Sequence, residues 1–226
     1  MKLRNCLRDP IPEIYTAAKY LDAAVSAHNF GNRKLATELF LAANMSEVRD
    51  WTESLWGKNS PHLCLRDAEI VLPVLPKAER VSCRMPNKAE REILHERDGF
   101  HCRFCGIPVI RKEIREVAKA EYPNAVQWGR TNFSQHAAFQ AMWLQYNHLI
   151  PHSRGGNNDI ENVVITCAPC NYGRGNRLIE EVGVRNPFER PPVKSQWDGL
   201  ERIRKGPFGQ SSSTHLGKRK QKVHVG

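Results

Sequence analysis

Residues 147–176 read NHLIPHSRGGNNDIENVVITCAPCNYGRGN. Glycine and asparagine at 155–158 mark a turn, and the β-branched run at 163–165 marks a strand that follows it. The pattern therefore predicts a β-hairpin over residues 147–166. Two cysteines spaced C-x-x-C then open a helix at 167–170. The predicted local order is strand, turn, strand and helix.

Four of the seven cysteines form two C-x-x-C pairs, one in this stretch and one upstream of it. The pairs are Cys102 with Cys105 and Cys167 with Cys170. Two such turns can present four thiolates to one tetrahedral zinc ion, and four protein ligands leave no coordination position open for catalysis. The cysteines therefore predict a structural zinc site. The other three cysteines lack a ligand-like spacing and are interpreted as ordinary thiols.

Further marked positions accompany the cysteines. His148 stands in an H-x-x-P context, and the turn reads Ser-x-Gly-Gly. Asn162 follows the turn, and Asn171 directly follows the last cysteine. In this combination the segment from Cys102 to about Asn176 resembles the HNH endonuclease signature. The resemblance implies an α+β fold of the ββα-metal type, a treble-clef-like module in which zinc holds the hairpin and the helix together.

Hydrolysis of a phosphodiester needs a deprotonated water, charge neutralisation at the phosphate and help for the leaving oxygen. The resemblance implies that His148 is the general base, and imidazole suits that role near neutral pH. It also implies that Asn162 is part of the catalytic set, ordering the hairpin and holding the histidine-bearing loop. Asn147 and Asn171 would together coordinate one divalent cation, Mg²⁺ or another oxygen-preferring metal, at the phosphate and the departing 3′ oxygen.

Asn147 departs from the family pattern, in which an aspartate most often precedes the histidine. An amide oxygen still ligates a hard cation but brings no negative charge, so cation binding is expected to weaken by about 1–3 kcal/mol. Two interpretations stay open. The chain is a metal-dependent HNH endonuclease that hydrolyses DNA, or it is a non-catalytic or weakly active relative that keeps the zinc fold and binds nucleic acid.

The charge of the chain favours a polyanionic partner. Its formal net charge is +10 and its pI is near 9.4, and lysine and arginine release counterions when they neutralise phosphates. The expected partner is double-stranded DNA. Arg154 beside the turn, and Arg174 and Arg177 on the predicted helix, are the expected phosphate contacts. A solvated surface position is the alternative for Arg154.

The sequence outside the signature predicts the organisation of the chain. Residues 87–185 are predicted to form the nuclease domain, with a helical insertion at 111–146. Residues 1–86 are predicted to be a helical region and linker that packs on this domain, selects the substrate or binds a protein partner. Residues 186–205 are predicted to be a proline-rich docking segment, and residues 206–226 a disordered basic tail.

Helical spacing predicts several elements in detail. Asn32 and Asn87 are predicted helix caps, and the second of these helices is expected to end at Gly99. Apolar residues at helical spacing predict a further helix over 135–146 with a packed face, with base stacking by its aromatic residues as the alternative. No apolar run is long enough to span a membrane and no secretory signal is visible, so a cytoplasmic location of bacterial or phage type is expected.

Overall fold

A computed structural model describes residues 3–56, 59–67, 72–82 and 85–206. It contains helices and one two-stranded antiparallel sheet, which confirms the predicted α+β class. The helices are α1 (Pro12–Asn29), α2 (Arg33–Ala42), α3 (Ser46–Leu55), α4 (Lys88–Asp98), α5 (Lys112–Glu121), α6 (Ala137–Ala141) and α7 (Ala168–Arg174). The strands are β1 (Leu144–His148) and β2 (Val163–Cys167). Short 3₁₀ turns lie at Lys77–Glu79, Asn132–Ser134, His152–Arg154, Pro187–Glu189 and Glu201–Lys205. Among the described helices, none is both long and apolar enough to cross a membrane.

The first three helices pack on the rest of the chain through apolar faces. In α1, Ile14, Leu21 and Val25 are fully buried at helical spacing. Asn32 caps α2 as predicted, because its side chain accepts a hydrogen bond from Leu35 N at 3.1 Å. One cluster of buried side chains includes members of these helices and of the cysteine-rich half. The two parts therefore share a core, and a protein partner for the N-terminal helices stays a prediction.

Helix α3 lies directly against α7. A Cβ atom at Gly173 in α7 would lie 2.8 Å from the carbonyl oxygen of Leu55 and 2.9 Å from Leu7 Cδ1. Glycine alone therefore permits this close approach of the two backbones. As a result, the position of α7 is set by β2, which precedes it in the chain, and by α3 beside it.

The hairpin pairs β1 with β2 in antiparallel register. Asn147 lies opposite Val164, and His148 lies opposite Val163. Strand β2 is buried along its whole length, and α7 begins at the residue after Cys167. The predicted order of strand, turn, strand and helix is confirmed.

The helix predicted over residues 135–146 is wrong in its extent. Helix α6 ends at Ala141, and β1 begins at Leu144. Tertiary pairing overrides the helical spacing here, because Leu144 lies opposite Cys167 in the sheet and its N donates to Ile110 O at 2.9 Å. Of the four side chains that suggested the helix, Phe139 and Met142 are buried in the core and Tyr146 packs against it. Trp143 packs edge-on against Trp128, with ring centroids 5.8 Å apart.

Helix α4 connects to the sheet through a buried carboxylate. Asn87 caps the helix in a reciprocal capping box, and the helix ends at Gly99 with a φ of 66°, both as predicted. The side chain of Asp98 is 1% exposed and accepts a hydrogen bond from Ile165 N in β2 at 2.9 Å. This contact holds the end of α4 against β2. As a result, Cys102, which follows α4, lies close to Cys167 at the end of β2.

The segment predicted to dock packs onto the first cysteine turn, residues 102–106. Arg190 donates to the carbonyl oxygens of Arg103 and Phe104, and Leu200 and Ile203 are buried. Except for its first residue, the predicted basic tail at 206–226 lies outside the described residues. The division of the chain into separate domains stays a prediction.

Candidate functional site

The two C-x-x-C pairs meet at one point. The ligand sulfur atoms of Cys102, Cys105, Cys167 and Cys170 all lie within 4.8 Å of one another. The first turn is closed by Gly106 N, which donates to Cys102 O at 2.8 Å, and Gly106 has a φ of 79° that favours glycine. Four converging thiols fit a tetrahedral zinc ion with no open coordination position. The cluster is therefore interpreted as a structural metal site.

A cleft of about 660 Å³ lies beside the hairpin and α7. Its lining includes Asn147 and His148 from β1 and Asn171 from α7. Three predicted site residues, separated by up to 24 positions in the chain, are thus brought into one cavity.

The linker before α4 forms another part of the cleft, which sequence reasoning missed. Lys77 and Arg80 line the cavity. The linker is held to the hairpin because Leu75 N donates to Ser153 O at 2.8 Å and His152 Nε2 donates to Val81 O at 2.8 Å. Residues 58–86 are rich in proline. This composition indicates an extended segment, but it does not indicate that the segment packs on the hairpin.

His148 occupies the last position of β1 and is 9% exposed. Its Nε2 lies 2.9 Å from Asn158 Oδ1. Asn158 belongs to the turn that links the strands, and no sequence pattern predicted its contact with the histidine ring. A side-chain acceptor at one ring nitrogen fixes the orientation and tautomer of an imidazole.

Asn147 and Asn171 are in direct contact. Asn147 Nδ2 donates to Asn171 Oδ1 at 2.6 Å, whereas Asn147 Oδ1 accepts a hydrogen bond from Arg174. Asn147 is 2% exposed. The predicted pair of metal ligands therefore lies together as expected, but the oxygen of Asn147 faces a guanidinium.

The donor set can be compared with the needs of a divalent cation. Hard cations prefer oxygen ligands and usually take at least one carboxylate, and the described residues that line the cleft include no carboxylate. Asn171 is half-buried in the cleft wall. Its Oδ1 accepts one hydrogen bond, from the neutral amide of Asn147, and its second lone pair suits a cation that also binds substrate oxygens. Direct ligation by Asn147 does not fit this arrangement, because a guanidinium occupies its oxygen and repels a cation.

The hairpin, the second cysteine pair and α7 thus form one strand–turn–strand–helix unit that carries the cleft residues. Residues 137–185 match the HNH endonuclease family. This confirms the resemblance predicted from the sequence for that segment, and it supports a nuclease that acts on nucleic acid. The first cysteine pair lies outside the matched residues. No curated protein and no solved structure gives a significant match to the chain.

Arg174, in the last turn of the HNH helix α7, is 3% exposed. It donates to Asn147 Oδ1, to His148 O and to Leu149 O, the last at 3.1 Å. Burial lowers the pKa of its guanidinium to about 10, so the group stays charged at neutral pH. The expected phosphate contact by Arg174 does not fit this position, because the guanidinium is enclosed and bonded to the protein's own oxygens.

Arg154 in the HNH turn also has structural partners. It donates to the carboxylate of Glu181 at 2.9 Å and to Leu72 O at 2.7 Å. These bonds anchor the linker to the turn, so neither the expected phosphate contact nor the solvated position describes Arg154. Arg177, which follows α7, is half-buried and stays a predicted phosphate contact.

Asn162 is not among the described residues that line the cleft. Its Oδ1 accepts from Ile150 N at 2.8 Å, and its Nδ2 donates to Asn157 O at 2.9 Å. The turn also packs tightly against Ile150, because a Cβ atom at Gly156 would lie 1.8 Å from the carbonyl oxygen of Ile150. This geometry suits the loop-holding role that the resemblance implies for Asn162.

Replacing Asn162 by alanine is expected to destabilise the chain by about 1–3 kcal/mol, because backbone groups of the loop lose their partners. Cleavage should slow while the zinc content stays unchanged. Chemical denaturation measures the first effect and a rate assay the second. Asn157→Ala is the matched control, because it keeps the backbone carbonyl that Asn162 uses. An equal loss in both variants would contradict the role of Asn162.

Proposed function

We propose that the chain is an endonuclease that hydrolyses phosphodiester bonds in DNA, with duplex DNA as its substrate. The proposal depends on one observation: Asn147, His148 and Asn171 line a single cleft within the segment that matches the HNH family. Lys77 and Arg80 line the same cleft, and their positive charges suit a phosphate backbone.

His148 is proposed to accept a proton from the attacking water. With Asn158 Oδ1 as the hydrogen-bond acceptor at 2.9 Å, Nε2 carries the ring proton and Nδ1 carries the lone pair that a base requires. Imidazole is also the side chain whose ordinary pKa lies closest to neutral pH. The role of Asn158 is to hold this tautomer and the orientation of the ring.

A divalent cation, Mg²⁺ or another oxygen-preferring metal, is proposed to bind at Asn171. When bound, such an ion supplies positive charge to the phosphate and to the leaving 3′ oxygen. Asn171 Oδ1 would be its protein ligand, and the substrate phosphate would bring the negative charge that the described cleft lining lacks. The structural zinc ion proposed at the four cysteines takes no part in this chemistry.

A nucleic-acid-binding role without hydrolysis is the second candidate. It is favoured by the orientation of Asn147, whose oxygen is directed to Arg174 instead of the cleft. In that case the same cationic cleft holds the DNA backbone, and the chain is an inactive or weakly active relative of the nucleases.

Nicking of supercoiled plasmid by the zinc-loaded full chain separates the two functions. A nuclease is expected to give relaxed and linear plasmid with Mg²⁺ or Mn²⁺, and neither product in buffer freed of these ions. A linear duplex and its separated strand, tested in parallel, measure the preference for duplex DNA. Binding of plasmid without product under all these conditions would refute the nuclease and support the binding role.

A further inference from the structure

The guanidinium of Arg174 is a buried charge whose hydrogen-bond acceptors are all neutral. They are the side-chain oxygen of Asn147 and the backbone carbonyls of His148, Leu149 and Arg177. Within the described parts of the chain, no carboxylate forms an ion pair with this guanidinium. Glu180, Cys170 and Glu181 act on Arg174 through their negative charges without forming an ion pair with it, and Glu181 forms its ion pair with Arg154 at 2.9 Å.

An unneutralised charge in a protein interior is costly, and buried cations are normally paired with an anion. Residue 147 is the position from which a carboxylate would neutralise Arg174, since its side-chain oxygen already accepts a hydrogen bond from the guanidinium. Asparagine supplies that oxygen without a negative charge. The positive charge of Arg174 therefore persists in the wall of the cleft, which both residues line.

We propose that Asn147 is matched to Arg174 so that the cleft keeps this positive charge and binds a phosphate group before it binds a divalent cation. The inference rests on the proposed function, because it concerns the same cleft. The charge of Arg174 attracts phosphate and repels a cation in the free protein. Once phosphate is bound, its oxygens and Asn171 together form a cation site that neither forms alone.

The variant Asn147→Asp distinguishes this proposal from the alternative that residue 147 is itself a ligand of the divalent cation. If residue 147 were a metal ligand, a carboxylate would tighten cation binding. In the arrangement seen here, the carboxylate would pair with Arg174 and cancel its charge. The variant should then lose affinity for phosphate and gain none for the cation.

The experiment uses the zinc-loaded full chain and two binding measurements that do not depend on cleavage. Fluorescence anisotropy reports binding of a short labelled duplex in buffer freed of divalent ions. Electron paramagnetic resonance reports Mn²⁺ binding with and without that duplex. Asn171→Ala identifies the Mn²⁺ that belongs to the cleft, and zinc content and thermal unfolding check that each variant is folded.

The unmodified chain should bind the duplex without divalent ions, and the Mn²⁺ signal that depends on Asn171 should require the duplex. Asn147→Asp should weaken duplex binding about tenfold, as expected for the loss of one favourable charge interaction, and leave Mn²⁺ binding by the free chain unchanged. Asn176→Asp is the matched control, because it adds the same charge at an exposed position of the same cleft. It should weaken duplex binding less.

Two results would overturn the proposal: an Asn171-dependent Mn²⁺ site in the free unmodified chain, or tighter Mn²⁺ binding by free Asn147→Asp. Equal losses of duplex affinity in Asn147→Asp and Asn176→Asp would also overturn it. Its failure is separable from that of the nuclease proposal. The expected binding order in a chain that never nicks plasmid would refute only the nuclease, whereas nicking by a chain that binds Mn²⁺ first would refute only the binding order.

Discussion

The variant His148→Ala is expected to nick supercoiled DNA about 10²- to 10⁴-fold more slowly than the unmodified chain, the usual contribution of a positioned general base. The imidazole lines the cleft next to Asn147 and is held by Asn158 at 2.9 Å. Removing it takes away the proposed proton acceptor and leaves the cysteine cluster in place. Zinc content and thermal unfolding should therefore remain close to those of the unmodified chain.

His152→Ala is the matched control for this prediction. The two imidazoles have ring centroids 6.3 Å apart, and both line the cleft. His152 Nε2, however, donates to Val81 O, so its expected role is to hold the linker. Its removal should slow nicking much less than removal of His148. If both variants were slowed equally, the general-base role of His148 would be contradicted.

Cys167→Ser is expected to release the zinc ion and to abolish cooperative unfolding of the cysteine-rich half. Structural zinc sites contribute an apparent binding free energy of about 10–16 kcal/mol, whereas whole domains are stable by only about 5–15 kcal/mol. Cys167 ends β2, and α7 begins at the next residue. Loss of this ligand therefore frees the hairpin and the helix together. Elemental analysis and circular dichroism during heating measure the two effects.

Cys64→Ser controls for the loss of a thiol as such, because Cys64 is exposed and lies outside the cluster. That variant should keep one zinc ion per chain and an unchanged melting curve. A Cys167→Ser chain that retained both the zinc ion and the cooperative transition would show that the four thiols are not its ligands.

The sequence predicted the parts of this site that depend on local chemistry. Paired cysteines can be recognised from their spacing alone, and β-branched residues after a Gly-Gly turn predict a returning strand. Asn87 followed by a glutamate three residues later predicts a capping box wherever the helix packs. These features need little knowledge of distant contacts, and the structure contains all of them.

The environment of each charged side chain could not be predicted in this way. Arg174 looks like a surface residue of a short helix, but it is buried because its side of α7 packs on the hairpin and against Phe104. Likewise, the contact between Asn158 and His148 depends on how the turn folds over β1. Tertiary packing also ended the predicted helix at Ala141, since pairing with β2 takes Leu144 into the sheet.

The close backbone contact at Gly173 affects how small an autonomous catalytic unit this chain can have. The proposed general base, His148, and the proposed cation ligand, Asn171, fall within 137–185, yet the helix that holds Asn171 packs closely on Leu55 and Leu7 from the N-terminal region. A fragment that begins at residue 87 would lose this brace and would open one side of α7 to water. The smallest fragment that folds is therefore expected to be larger than the matched segment 137–185 and to include the N-terminal helices that contact α7.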